Sequence, residues 1–155
     1  MNYWLMKSEP DVFSIDDLRS RPGRTEPWEG VRNYEARNLL RDKIKKSDLA
    51  FFYHSSCESP AIVGIMEIVS EGYPDPAAFM PNHRYYDPKS KPGQPTWYLV
   101  DVKFKRKLRR TITLTELRDK KPLRQLKLLQ KGNRLSVMPV TKKEWDYILE
   151  LEKYN

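Results

Sequence analysis

The stretch that most restricts the fold is residues 61–69, Ala-Ile-Val-Gly-Ile-Met-Glu-Ile-Val. It has the length of a strand and is apolar on both faces. A strand tolerates that only when it is paired on both sides and covered above and below, so it predicts a central strand of a barrel. Gly64 inside it marks a bulge or a close approach by another part of the chain.

The rest of the chain alternates short strand and helix signals. Residues 3–8 read as a first strand ended by Pro10, and 49–54 as a second. Residues 96–108 read as a fourth strand, with Tyr98, Val100, Val102 and Phe104 on one face and Trp97, Leu99, Asp101, Lys103 and Lys105 on the other. A last short strand is expected at 134–137. Ser14/Asp17, Thr113/Glu116 and Thr141/Glu144 have the spacing of capping pairs, opening short helices at 15–19 and after Thr113 and a C-terminal helix through Glu152. Asn33 can cap a helix over 34–45, and Pro122 and Gly132 bound another ending at Lys131. Residues 21–27 read as a loop. Residues 73–95 form a long Pro-rich stretch, a length that in a compact domain is usually functional, with a helical turn at 76–79. Together these predict one α/β domain of the α+β kind over residues 1–155, a mixed β-barrel of about five to six strands flanked by short helices and a C-terminal helix.

Charge narrows the partner. Lys and Arg number 29 against 21 Asp and Glu, a formal net charge of +8. An excess of that sign suits a polyanion, and nucleic acid is the commonest. One cysteine, Cys57, excludes a disulfide framework and suits a reducing compartment. No leader and no membrane-length apolar run is visible, so a cytoplasmic location is expected, or a nuclear one in a eukaryote. The expected state is a monomer or weak dimer. Two histidines and one cysteine do not make a standard zinc set, so no metal and no cofactor is expected.

Five clusters carry candidate chemistry. In Trp28-Glu29-Gly30-Val31-Arg32-Asn33-Tyr34-Glu35-Ala36-Arg37-Asn38, an aromatic is followed by a glycine and a helix start. Helix N-termini suit phosphate, with Arg32 and Arg37 adding charge. Trp28 fits either a core or a pocket wall, and Asn33 either a cap or a reader of a base edge. Lys7-Ser8-Glu9-Pro10 ends the first strand at a rim, where Ser8 can offer a hydroxyl and Lys7 with Glu9 can form a plain surface pair. Tyr53, His54 and Ser55 end the second strand, and His54 with Cys57 lacks the orienting third group of a cysteine nucleophile. Residues 103–110 hold six basic side chains in eight, Lys103, Lys105, Arg106 and Lys107 among them. They read as a phosphate track or as an edge that discourages strand pairing. Trp97 and Tyr98, with Tyr85 and Tyr86 in the preceding loop, are base-stacking candidates or core.

The runs Tyr-Trp-Leu-Met-Lys-Ser-Glu-Pro10, Trp28 to Asn38, Phe-Phe-Tyr-His-Ser-Ser56, Ala-Ile-Val-Gly-Ile65, Trp-Tyr-Leu-Val-Asp-Val102 and Arg-Leu-Ser-Val-Met-Pro-Val140, in that order, closely resemble the EVE domain. The resemblance spans nearly the whole chain. It implies a PUA-like barrel and a non-catalytic module that binds RNA or DNA and holds a modified, for example methylated, base in an aromatic pocket. In the related YTH domains a Lys-Ser strand end and a following Trp belong to a methyladenine cage, and Lys7, Ser8 and Trp28 are similar. By that likeness Trp28 is a cage wall and Ser8 its rim, with Val31, Asn33, Tyr53, His54 and Ser55 as lining or polar readers. Trp97, Tyr85 and Tyr86 are the candidates for a second aromatic. The rival implied by likeness to ASCH domains is a hydrolase of modified nucleosides using Lys7 and Glu9; a small-molecule or protein-interaction module is the other.

Overall fold

The structure, a computed structural model, describes residues 1–154. Strands β1 (Tyr3–Ser8), β2 (Thr25–Pro27), β3 (Leu49–His54), β4 (Ala61–Ile68), β7 (Asp101–Thr113) and β8 (Val137–Val140) form one curled sheet in the order β2-β7-β4-β3-β1-β8. Two two-residue strands, β5 (Tyr73–Pro74) and β6 (Tyr98–Leu99), pair separately. The doubly apolar stretch is β4, central between β3 and β7 as its pattern requires. β1 and β3 are parallel, Ser8 opposite His54, so both strands end at the same rim. The other ladders of the sheet are antiparallel.

Alternation along β3 divides the core in two. Phe51 stacks on Trp145 of the C-terminal helix α4 (Lys142–Leu151), ring centroids 3.9 Å apart. Phe52 points the other way, edge-on to Trp28 at 5.3 Å. Helix α1 (Ile15–Ser20) starts at the Ser14–Asp17 capping box, and α4 at the Thr141–Glu144 box. Thr113 caps α3 (Leu114–Arg118). The buried Asp48 carboxylate accepts from the Trp4 indole N–H and the backbone N–H groups of Asn2 and Lys45, tying the start of β1 to the turn before β3.

Five elements differ from the sequence expectation. The 34–45 helix is α2 (Tyr34–Asn38) running into a wider π-turn, Leu39–Lys43, that buries Leu40 and then Ile44. The 21–27 loop contains a turn at Pro22–Arg24 and then β2. The fourth strand is two strands broken at Val100, and it runs on to Thr113. Tyr98 and Leu99 pair with β5, whereas Asp101 onward pairs in the main sheet, so the chain changes sheets at Val100. No helix forms over 122–131. Leu126 and Leu128 are both buried, a spacing of two that a helix cannot turn to one face, and the segment folds as 3-10 turns at Lys121–Leu123 and Lys127–Leu129. The last strand starts at Val137 rather than ending there.

Gly64 answers to close approach. A Cβ at this position would lie 2.0 Å from Ile15 Cδ1 and 2.8 Å from the Arg106 carbonyl oxygen. Helix α1 therefore rests directly on the sheet backbone. Gly64→Ala should cost about 1–3 kcal/mol, the usual penalty of overpacking a core, as measured by urea unfolding; an unchanged midpoint would mean α1 does not seat against β4.

Candidate nucleic-acid interface

β2 and β8 are the two edges of the curled sheet. A pocket of about 380 Å³ is lined by Glu26 and Pro27 from one edge, by Leu135 and Ser136 leading into the other, and by Lys7 and Ser8 at the end of β1. The site thus occupies the seam at which the half-barrel stays open. Its volume is in the range of small-ligand pockets, about 300–1,000 Å³.

Three aromatic side chains form the walls: Phe13, Trp28 and Tyr85. Phe13 and Trp28 meet edge to face with centroids 6.2 Å apart. Trp28 is only 6% exposed, yet its indole N–H bonds to no described residue, unlike those of Trp4 and Trp97. No buried polar side-chain atom among the described residues lacks a partner, so this N–H is not fully sealed, and the residue it belongs to lines the pocket. Ser8 donates its hydroxyl proton to the Phe13 carbonyl at 2.6 Å. It therefore fixes a wall and presents only acceptor lone pairs to a ligand. The Lys7 side chain is half-buried in the pocket lining, and desolvation pulls its pKa below the usual lysine value. Arg21, Arg84 and Arg134 also line the pocket, with Glu9, Glu26 and Glu29 as the acids among them.

Tyr85 arrives from a distant loop, and a charge pair holds it there. The fully buried Asp75 accepts from the Gly30 N–H at 2.9 Å, from Arg32 Nη1 at 3.0 Å and from the Ala77 N–H at 2.9 Å. Arg32 in turn donates to the Tyr85 carbonyl through Nη2 at 2.6 Å and packs its guanidinium against the rings of Tyr85 and Trp97. Gly30 is required at the junction: its φ is +89°, and a Cβ would lie 2.5 Å from the Tyr85 ring.

Of the residues singled out in the sequence, Lys7, Ser8, Trp28, Val31 and Ser55 line this pocket together. Asn33, Tyr53, His54 and Trp97 do not. Asn33 caps α2 through the Ala36 N–H and faces a neighbouring hollow. Tyr53 is buried, which pushes its hydroxyl up to about 12. His54 Nε2 accepts from the Ile15 N–H at 3.1 Å, and burial holds its imidazole below the usual range, in the neutral form. Trp97 is buried and donates to Asp87 at 2.6 Å, with Tyr34 tilted against it. All but one of the singled-out basic side chains are also engaged. Arg32 pairs with Asp75, and Arg37 donates to the Thr96 carbonyl. Lys105 lies 3.9 Å from Glu67, Arg106 chelates Glu152, and Lys107 pairs with Asp16. Lys103 is exposed on β7 opposite Thr25 and Glu67. Phe13, Arg21, Arg84 and Arg134 at the pocket went unread in the sequence. Among the described residues no three metal-ligating side chains come together.

A curled mixed sheet, a parallel β1/β3 pair ending at one rim and an aromatic-walled pocket in the seam define a PUA-like domain. The chain belongs to the EVE domain family, whose family model matches residues 2–151. Mouse Thymocyte nuclear protein 1 is 47% identical, over 98% of this chain and 74% of its own length. The crystal structure of human THYN1 protein in complex with 5-methylcytosine containing DNA matches with a TM-score of 0.96 at 44% identity, covering 100% of this chain and 99% of that one. A Pseudomonas syringae protein matches with a TM-score of 0.92 at 49% identity, over 97% of this chain and 99% of its own. An ASCH protein from Zymomonas mobilis shares the fold alone, at 10% identity and a TM-score of 0.56.

Asp75→Asn removes the carboxylate that Arg32 and Gly30 share. Breaking such a buried pair should cost on the order of 3 kcal/mol and expose residues 80–95 to protease before the rest of the chain. Unchanged stability with an unchanged cleavage pattern would show that the Tyr85 loop is held by other contacts.

Proposed function

We propose that this chain is a non-catalytic DNA-binding module that takes a methylated cytosine out of the stack and holds it between Phe13, Trp28 and Tyr85. The observation that carries this reading is an aromatic-walled pocket with a lysine in its lining, in a fold shared with human THYN1 protein, which was crystallised in complex with 5-methylcytosine containing DNA. Extruding a base costs a few kcal/mol, which favours single strands and weakened pairs. Stacking on aromatic faces returns about 1–3 kcal/mol per base. Lys7 and the Trp28 indole N–H supply donors, which suit the carbonyl oxygen and ring nitrogen of a cytosine edge. Burying one methyl group adds about 0.8 kcal/mol, close to a fourfold preference.

One observation favours a second reading, hydrolysis of a modified nucleoside: the half-buried Lys7 amine with its lowered pKa shares the pocket with Glu9. Binding and turnover separate in one experiment. Wild-type protein should prefer a 5-methylcytosine oligonucleotide by about fourfold or more over its cytosine twin and leave both chemically unaltered on long incubation. Trp28→Ala should bring that ratio close to one while a salt-dependent background persists. Equal losses for both oligonucleotides would reject this pocket, and a new nucleoside in the mass spectrum would favour the hydrolase.

A further inference from the structure

A second hollow, about 330 Å³, adjoins the pocket and shares Arg134 and Leu135 with it. Asn33, Glu35, Lys127, Gln130, Lys131, Gly132 and Asn133 complete its lining. Its cations are Lys127, Lys131 and Arg134; Glu35 is the one acid. All three cations are exposed, and none enters an ion pair with a described residue.

The loop that presents them is internally braced. Asn133 Nδ2 donates to the Lys127 carbonyl at 3.0 Å, and its Oδ1 accepts from the Leu135 N–H at 3.1 Å. Gln130 Nε2 donates to the carbonyls of Arg124 and Leu126. Gly132, with φ at +77°, makes the turn between Lys131 and Arg134. The amides are thus spent on shape, leaving the cations to face outward.

Resting on the reading that a base enters the pocket, we propose that this hollow seats the backbone phosphates of the same DNA strand. Arg134 stands at the junction, and Lys127 and Lys131 lie beyond it. A nucleotide whose base is in the pocket must leave its sugar and phosphate at the mouth, and the next phosphate follows within one nucleotide. The shared Arg134 places positive charge at that step. The basic run on β7 is a poorer track, because Lys105, Arg106, Lys107 and Arg110 already face Glu67, Glu152, Asp16 and Glu116. Capturing a phosphate at any of these four would mean breaking an internal pair, and of the run only Lys103 and Arg109 form no ion pair with a described residue.

The test compares two charge-matched double variants of the full chain, K127Q/K131Q and K105Q/K107Q, by fluorescence anisotropy across a salt series. The probe is a single-stranded oligonucleotide with one 5-methylcytosine, alongside its cytosine twin. Two lost phosphate contacts at about 0.7 each should flatten the log–log salt slope of K127Q/K131Q by about 1.4, with its methyl preference unchanged. K105Q/K107Q should keep the wild-type slope. An unchanged slope in K127Q/K131Q, or equal flattening in both, overturns the assignment. The pocket reading fails separately, if Trp28→Ala retains methyl preference while K127Q/K131Q still flattens the slope; wild-type protein without salt-dependent binding overturns both.

Discussion

The Asp75 carboxylate joins the two strands of chain that make the pocket. It accepts from Gly30 in the Trp28 segment and from Arg32, whose guanidinium then grips the Tyr85 carbonyl. A fully buried carboxylate is costly unless each lone pair is used, and the N–H of Ala77 supplies a further donor. The same network requires a residue without a Cβ at position 30, because Tyr85 closes over it. The aromatic walls thus depend on an interaction that touches no ligand.

The sheet provides the frame for those walls. Because β1 and β3 run parallel, Lys7, Ser8 and Ser55 arrive together at one rim, next to the seam between the β2 and β8 edges. On the opposite side of β3, the Phe51–Trp145 stack and the Tyr3 ring beside it bury the C-terminal helix. The two aromatic clusters share a strand but not a role: one is closed, and the other borders the pocket through Trp28. Positive charge follows a similar division, with the β7 cations largely answered by carboxylates and those around the second hollow left facing outward.

What could be read from the sequence was local. The strands 3–8 and 49–54, the central strand near 61–69 and the three capping pairs depend on neighbours a few residues away, and each stands where its pattern put it. Lys7 and Ser8 could be placed at a rim because Pro10 ends their strand, whereas Trp28 as a pocket wall came from the likeness to YTH domains, its own neighbourhood fitting core equally well. Phe13 and Arg134 were not legible, and Tyr85 stood only as one of three candidates for a second aromatic, since its place follows from contacts such as Gly30 with Asp75, 45 residues apart. Asn33 and His54 have the residue types of a polar site, yet both spend their acceptors on helix starts, Asn33 at α2 and His54 at Ile15 of α1. The six-in-eight basic run suggested a track because a sequence displays cations without the carboxylates that meet them from 46 and 91 residues away, Glu152 for Arg106 and Asp16 for Lys107.

The central claim concerns where one methylated base sits. An oligonucleotide carrying a single 5-methylcytosine with a ¹³C-labelled methyl group, bound to the protein, allows isotope-filtered nuclear Overhauser spectra to locate that methyl directly. Contacts from the methyl to ring protons of Phe13, Trp28 or Tyr85 are the expected result. A bound complex whose methyl contacts lie elsewhere on the surface, with none of these three rings among them, would contradict it.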